Sequence, residues 1–359
     1  MTEMSRGKRI AGRILFWILS LAAALCFLAV PRLSRLLPAQ FAAERWAGEG
    51  ETAFAQLSCY LPVNEPLSQG QIYTFRYAIL DQLQKSGLEA DTSTRLFRDA
   101  WCAFGKLKAS SSRASGDVSV IAVGGDYFSF HPLRLLNGSY LSEDDLMKDR
   151  ILLDEETAWL LFGGTDLAGM EVKLNGFPFV VSGVVEREKD FASQKAYSAG
   201  RGIYMAYDTY TMMVEGTGAT CYELVMAEPV QGLSLSFARE KFPIGQGEIV
   251  ENSGRFSYAR LMGLLKQFGE RSMQRLAVSY PYWENAARCV EDWCALLLLL
   301  GHLCLLFPVL RLLKGLFRIL KRGKEKLSED LLPDVRDKAE ESLRKKQRKR
   351  WEKKHPGED

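Results

Sequence analysis

Histidine carries much of the acid, base and metal chemistry available near neutral pH, and this chain has three: His131, His302 and His355. A zinc site needs three or four His, Cys or carboxylate ligands at close spacing, and no Cys-x-x-Cys or paired histidine is present to begin one. A Ser-His-Asp triad would have only His131 to use, and it precedes Pro132 in an expected turn. No GxxxxGK[ST] occurs, so the chain has no backbone cradle for phosphates and does not itself hydrolyse ATP. The acids Glu143, Asp144 and Asp145 lack the ligand spacing of a calcium loop. Ser142, three residues before Asp145, makes them the start of a helix instead. We therefore assign no catalytic residue, no cofactor and no metal ligand, and the chain is not read as an enzyme.

Of the seven cysteines, Cys26, Cys294 and Cys304 fall in apolar runs, where a thiol behaves as a small apolar group. Cys59, Cys102, Cys221 and Cys289 remain. One disulfide, Cys59 to Cys102 or Cys59 to Cys221, stands open beside free buried thiols. His302 has no Asp, Glu or second His with it, so it reads as a neutral imidazole bonded to a neighbouring helix rather than a proton relay. The basic run Lys345 to Arg350 belongs beside a membrane surface, with no role in nucleic-acid binding.

What positions these residues is a pair of apolar runs, Ile14 to Val30 and Trp293 to Leu313. A hydrocarbon core of about 30 Å takes roughly 20 apolar residues of helix, which both runs approach or reach. Pro31-Arg32-Leu33 follows the first run where a cleavage site needs small residues, so it is read as a retained span. Residues 1–13 carry a net charge of +3 and residues 314–359 carry +6, leaving −6 for residues 14–313. Basic ends and an acidic middle place both termini in the cytoplasm and the middle outside, in the plasma membrane. The expected organisation is a cytoplasmic N-terminus at 1–13, a first span at 14–30, an extracytoplasmic domain with stalk helices at 31–292, a second span at 293–313 and a charged helical tail at 314–359.

Within the outer part, residues 31–56 are expected to form an amphipathic stalk helix. Ser68 and Gln71 form a capping box ahead of Ile72, Phe75, Ile79 and Leu83, predicting a helix that Gly87 closes. The serine-rich stretch 107–116 predicts an exposed turn before a strand at 117–123. A strand at 151–153 leads to a helix capped by Asp154 and stopped by Gly163-Gly164. Asn175-Gly176 predicts a hairpin between 172–174 and 177–185. A strand at 222–226, a helix at 233–241 and a strand at 248–251 follow, and helical periodicity over 256–292 breaks near Tyr280-Pro281. The order gives an α+β extracytoplasmic domain between two transmembrane helices. Its first and last pieces make a split strand-helix-strand subdomain, with a mostly β subdomain inserted over about 126–215.

The wording of residues 118–185 resembles the periplasmic core domain of MacB-like ABC transporter permeases. In that family a strand leads to D-Y-F, a glycine turn, a helix ending L-F-G, a D-P-x-G turn and a strand pair ending V-G-V. Here the matching residues are Asp126-Tyr127-Phe128, Gly138-Ser139-Tyr140 with Asp144 and Asp145 after it, Leu161-Phe162-Gly163, Asp166 to Gly169, and Ser182-Gly183-Val184. These are turn glycines, caps and core positions, so the resemblance names a fold. It implies a membrane subunit of an ABC-type complex whose outer domain is a mechanical coupler or partner-binding module driven by a separate ATPase. Family members have four spans, and a two-span form implies a partner: the ATPase, a full-length permease or both, besides the lipid bilayer. Lys314 to Arg322 stands where a coupling segment would contact it, and a homo- or hetero-oligomer is left open. The alternative is a membrane-anchored sensor or scaffold that binds an extracytoplasmic peptide, lipid or cell-wall ligand without transport.

Overall fold

The computed structural model describes residues 6–48, 52–88, 96–197, 202–271 and 278–354. Two compact units are present: Met1–Phe27 with Leu299–Asp359, and Leu28–Leu298. His355 and parts of the expected stalk at 49–51 and 272–277 lie outside the described residues.

Helix α1 (Arg6–Ser34) runs through Pro31 and past the expected end of the span. Leu37, held off the helical region by the proline after it (φ −111, ψ 78), then breaks the chain into a 3-10 turn, Pro38–Phe41. A short helix α2 (Ala42–Ala47) follows, and strand β1 (Phe54–Tyr60) comes next. The stalk helix expected over 31–56 is thus corrected: Pro38 interrupts it, and its last residues enter the sheet.

Helix α3 (Gln69–Lys85) has the expected capping box, with Ser68 Oγ accepting from Gln71 N at 3.3 Å and Gln71 Oε1 accepting from Ser68 N at 2.9 Å. Strands β2 (Phe97–Ser110) and β3 (Ser115–Gly125) pair antiparallel from Ala100↔Gly125 to Ser110↔Ser115. The turn between them is shorter than the serines imply, because buried Leu107 and Ala109 draw the strand through. Helix α4 (Tyr127–Phe130) and strand β4 (Arg134–Gly138) follow. No helix forms at Ser142. Its N–H bonds Asp145 Oδ2 while its Oγ accepts from Asp144 N, and the next residue, Leu146, is 99% exposed, so a helix would have no face to bury.

Strand β5 (Arg150–Asp154) ends in the cap of helix α5 (Glu155–Leu161), Asp154 Oδ1 accepting from Thr157 N at 2.7 Å. Strands β6 (Glu171–Leu174) and β7 (Phe177–Glu186) turn through Asn175 (φ 49) and Gly176 (φ 91), the left-handed pair that a two-residue hairpin needs. The remaining elements are α6 (Phe191–Ala196), β8 (Gly202–Ala206), α7 (Tyr207–Met213), β9 (Cys221–Ala227), α8 (Leu233–Lys241), β10 (Glu248–Glu251), α9 (Tyr258–Arg271) and α10 (Tyr282–Lys354).

The strands form one mixed sheet in the order β10-β1-β9-β2-β3-β8-β5-β7-β4, with β6 pairing β7 and the far end of β2. The outer pieces of the sequence, β1, β9 and β10, hold one end of this sheet, and the inserted piece holds the other. The long β2–β3 hairpin joins them. Phe75, Ile79, Leu153, Ile203, Tyr222 and Phe237 belong to the core on one face, closed by helices that include α3, α5 and α8. Tyr60, Cys102, Tyr127, Tyr204 and Trp283 belong to the core on the other, under α2, α4 and the start of α10.

Strand register corrects the disulfide expectation. Cys59 lies opposite Tyr222, whereas Cys221 lies opposite both Tyr60 and Cys102. Neighbouring residues of a strand face opposite sides, so Cys59 enters one core and Cys102 and Cys221 the other. All three thiols are buried and free, and burial pushes each above the usual thiol range.

In the unit of Met1–Phe27 and Leu299–Asp359, large apolar side chains face outward, among them Trp17, Leu21, Leu25, Leu303, Leu306 and Leu310. Phe27 meets His302 edge-on at 5.3 Å and covers Gly301, where a Cβ would stand 3.0 Å from the ring. Among the described residues, two helices, in α1 and α10, are long and apolar enough to cross a membrane. The charged tail continues as α10 to Lys354.

Candidate functional site

Glu284 and Glu291 stand seven residues apart, two turns of helix, and so share one face of α10 ahead of the apolar run at Trp293. The turn after β10 delivers a cation to that face: Asn252 N bonds Gln56 O at 2.8 Å and Arg255 N bonds Asn252 O at 3.0 Å. The Arg255 guanidinium donates to both Glu284 oxygens at 2.7 and 2.8 Å and to both Glu291 oxygens at 2.7 and 3.2 Å. Its remaining bond goes to Gln40 Oε1 at 3.0 Å. Gln40 belongs to the 3-10 turn, and Gln56 of β1 pins the start of α2 by accepting from Ala42 N at 2.8 Å. One buried arginine thus ties α10, the connection after α1 and the edge of the sheet together.

The network extends outward. Arg288 Nε donates to Glu284 at 2.7 Å and its Nη2 to Glu248 of β10 at 2.8 Å, with the guanidinium 4.0 Å from the Tyr280 ring. Tyr60 OH reaches Glu284 at 3.3 Å. Burial alone would depress the Arg255 guanidinium, but Glu284 and then Glu291 outweigh it and hold it well above its ordinary value. Burial alone would raise the Glu284 carboxyl, but Arg255 and then Arg288 reverse that and hold it low. The Arg255–Glu284 pair is therefore charged throughout the neutral range.

A second buried pair lies nearby, His131 Nε2 with Glu223 of β9. The His131 ring is 4.3 Å from Trp283 of α10 and 4.5 Å from Tyr127. A spacing of 92 residues hid this pair from the sequence, and 29 hid Arg255 from Glu284. The Glu284–Arg288–Glu291 pattern was the one visible signal.

The motif residues take the places of turns and packing. Asp126 precedes α4, and Phe128 stacks on Tyr140 at 4.9 Å. Gly138 (φ 79) lies against Gly183, and a Cβ on Gly138 would stand 2.0 Å from Ser182 O, so the β4–β7 approach requires glycine there. Leu161 and Val184 are fully buried. Phe162 O accepts from Arg113 at 3.0 Å where Gly163 ends α5, and Gly169 N bonds Val181 O at 2.8 Å. Asp144 and Asp145 close their own turn, and Glu143 beside them is held by Arg76 at 2.9 and 3.0 Å. Only Tyr127 of this group reaches the His131–Trp283 cluster at the start of α10. Among the described residues no group of three or more His, Cys, Asp or Glu side chains is placed to hold a metal.

Residues 70–232 match the family model of the MacB-like periplasmic core domain. No curated protein matches the chain. Among solved structures, the periplasmic region of MacB from Actinobacillus actinomycetemcomitans is similar at 16% identity, with 61% of this chain and 94% of that chain covered and a TM-score of 0.38. The extracellular domain of the noncanonic ABC-type transporter YknZ from Gram-positive bacteria is similar at 17% identity, with 55% and 98% covered and a TM-score of 0.35. Residues 70–232 thus carry a MacB-like periplasmic core domain, in a chain whose α+β domain lies between two helices long and apolar enough to cross a membrane.

Proposed function

We propose that the chain is a non-catalytic subunit of an ABC-type transporter complex, in which a separate ATPase supplies energy and the outer domain moves with, or binds, a partner. The observation that carries this reading is the Arg255–Glu284–Glu291 clamp at the start of α10. Two carboxylates on one helix face grip one guanidinium, so turning or sliding α10 breaks both pairs unless the sheet edge follows. Such a clamp suits a helix that transmits motion better than one that merely anchors. On this reading both termini are cytoplasmic, residues 31–292 form the outer domain, and 14–30 and 293–313 are the spans. Lys314 to Arg322 then meets the partner, and its exposed Phe317 and Leu320, set among Lys314, Arg318 and Lys321, offer an apolar and basic surface to do so. Purification of the full chain from its native membranes tests the proposal. Recovery of an ATP-hydrolysing subunit or a full permease is expected, and recovery of neither removes its main support.

A further inference from the structure

The sheet face beneath α2, α4 and the start of α10 is not covered along its whole length. A cavity of about 450 Å³ opens over β2 and β3, within the size range of small-molecule sites. Strand register lays out its floor. Phe104 stands opposite Ile121 and Lys106 opposite Ser119, and these pair onward with Tyr204 and Gly202 of β8. Tyr280 and Tyr282 contribute to the wall, Tyr282 stacking on Tyr197 at 4.1 Å. Gly202 keeps the floor low at one end, where a Cβ would stand 3.4 Å from Asp154 Oδ2.

The charges in this cavity are unequal in their commitments. Asp154 pairs with Arg187, caps α5 and accepts from Gly202 N at 2.7 Å. Arg187 is further engaged by Glu156 at 3.6 Å and lies 4.9 Å from the Tyr197 ring. Lys106 is exposed and makes no ion pair among the described residues. Lys106, Arg187 and Asp154 leave a formal charge of +1 on a surface otherwise built of aromatic and aliphatic groups with a few serine and threonine hydroxyls. A free ammonium beside an aromatic floor selects a ligand with an apolar body and one negative group. A bare phosphate leaves the floor unfilled.

We infer that this cavity binds a small apolar or aromatic carboxylate, with its body on Phe104, Ile121 and Tyr204 and its carboxylate on Lys106. The site adjoins the start of α10, since Phe104 lies 5.8 Å from Trp283.

The test uses benzophenone-4-carboxylate as a photoaffinity probe on the full chain in lipid nanodiscs, with labelled peptides identified by mass spectrometry. Saturable labelling is expected on the segments that carry Phe104 and Tyr280–Tyr282, and much weaker labelling there by the neutral 4-(hydroxymethyl)benzophenone. Lys106→Glu should lower labelling at these segments about fivefold or more, and Lys106→Arg should retain it. Phe104→Ala should lower it with both probes. Octanoate and N-acetyl-Leu-Phe as competitors distinguish an acyl from a peptide carboxylate, and displacement by neither restricts the ligand to aromatic acids. Unsaturable labelling, labelling spread over the surface, or labelling unchanged in Lys106→Glu at an unchanged melting temperature overturns the inference.

Discussion

Replacing Arg255 with alanine removes the cation that grips both Glu284 and Glu291, and leaves a carboxylate that is 0% exposed without its main partner. Breaking a buried ion pair by deleting one member costs about 3–5 kcal/mol, because the surviving charge stays desolvated. Arg288 offsets part of this through its bond to Glu284 at 2.7 Å, so the lower half of the range is the better figure for that carboxylate. Losing the Gln40 and Glu291 bonds adds to it, and about 4 kcal/mol is expected in all. For a domain of this size each kcal/mol moves the melting temperature by about 2–4 °C, so Arg255→Ala should melt about 8–16 °C below the parent chain. Arg288→Ala is the internal comparison. Its pair with Glu248 is partly solvated, and the Glu284 it leaves is still held by Arg255, so about 1 kcal/mol is expected. Near-UV circular dichroism of the full chain in nanodiscs reads both, and a double-mutant cycle with Glu284→Gln should return a coupling above about 1 kcal/mol. A shift for Arg255→Ala no larger than that for Arg288→Ala refutes the clamp as the element that fastens α10.

The same pair sets a pH dependence. The Glu284 carboxyl is held below its ordinary value in the folded state, so its contribution is complete above the unfolded value near 4.5 and fades as pH falls through the lower folded value. The melting temperature should drop on acidification below about pH 5, and less steeply in Glu284→Gln. Cys59, Cys102 and Cys221 should resist alkylation in the folded chain and react once it is unfolded, with no mass shift for a disulfide; early labelling of Cys102 or Cys221 contradicts the β2–β9 packing. Gly138→Ala, which meets Ser182 O at 2.0 Å with a positive φ, should cost about 2–3 kcal/mol. Gly164→Ala meets nothing within 4 Å and should stay within about 0.5 kcal/mol by thermal melting.

Local signals were legible in the sequence and distant pairings were not. The Ser68–Gln71 box, the Asp154 cap and the Asn175-Gly176 turn are satisfied by neighbours within three residues, so residue type and spacing determine them. The cysteines show the opposite case. Which thiols face each other depends on the register of β1, β9 and β2, and a shift by one residue exchanges the two faces of a strand. The expected stalk helix is interrupted at Pro38, which holds Leu37 off the helical region even though the apolar pattern continues. Glu284 and Glu291 at helical spacing mark a charged face next to an apolar run, which calls for a cation. Only the fold names that cation as Arg255, because it comes from a turn 29 residues earlier.

On the proposed function, the segment after the second apolar run meets an energy-supplying partner. A photo-crosslinking amino acid placed at Phe317, which is 69% exposed, measures this directly in native membranes. Crosslinks to an ATP-hydrolysing subunit or a full permease are the expected result, and crosslinks confined to lipid or to copies of the chain itself would contradict it.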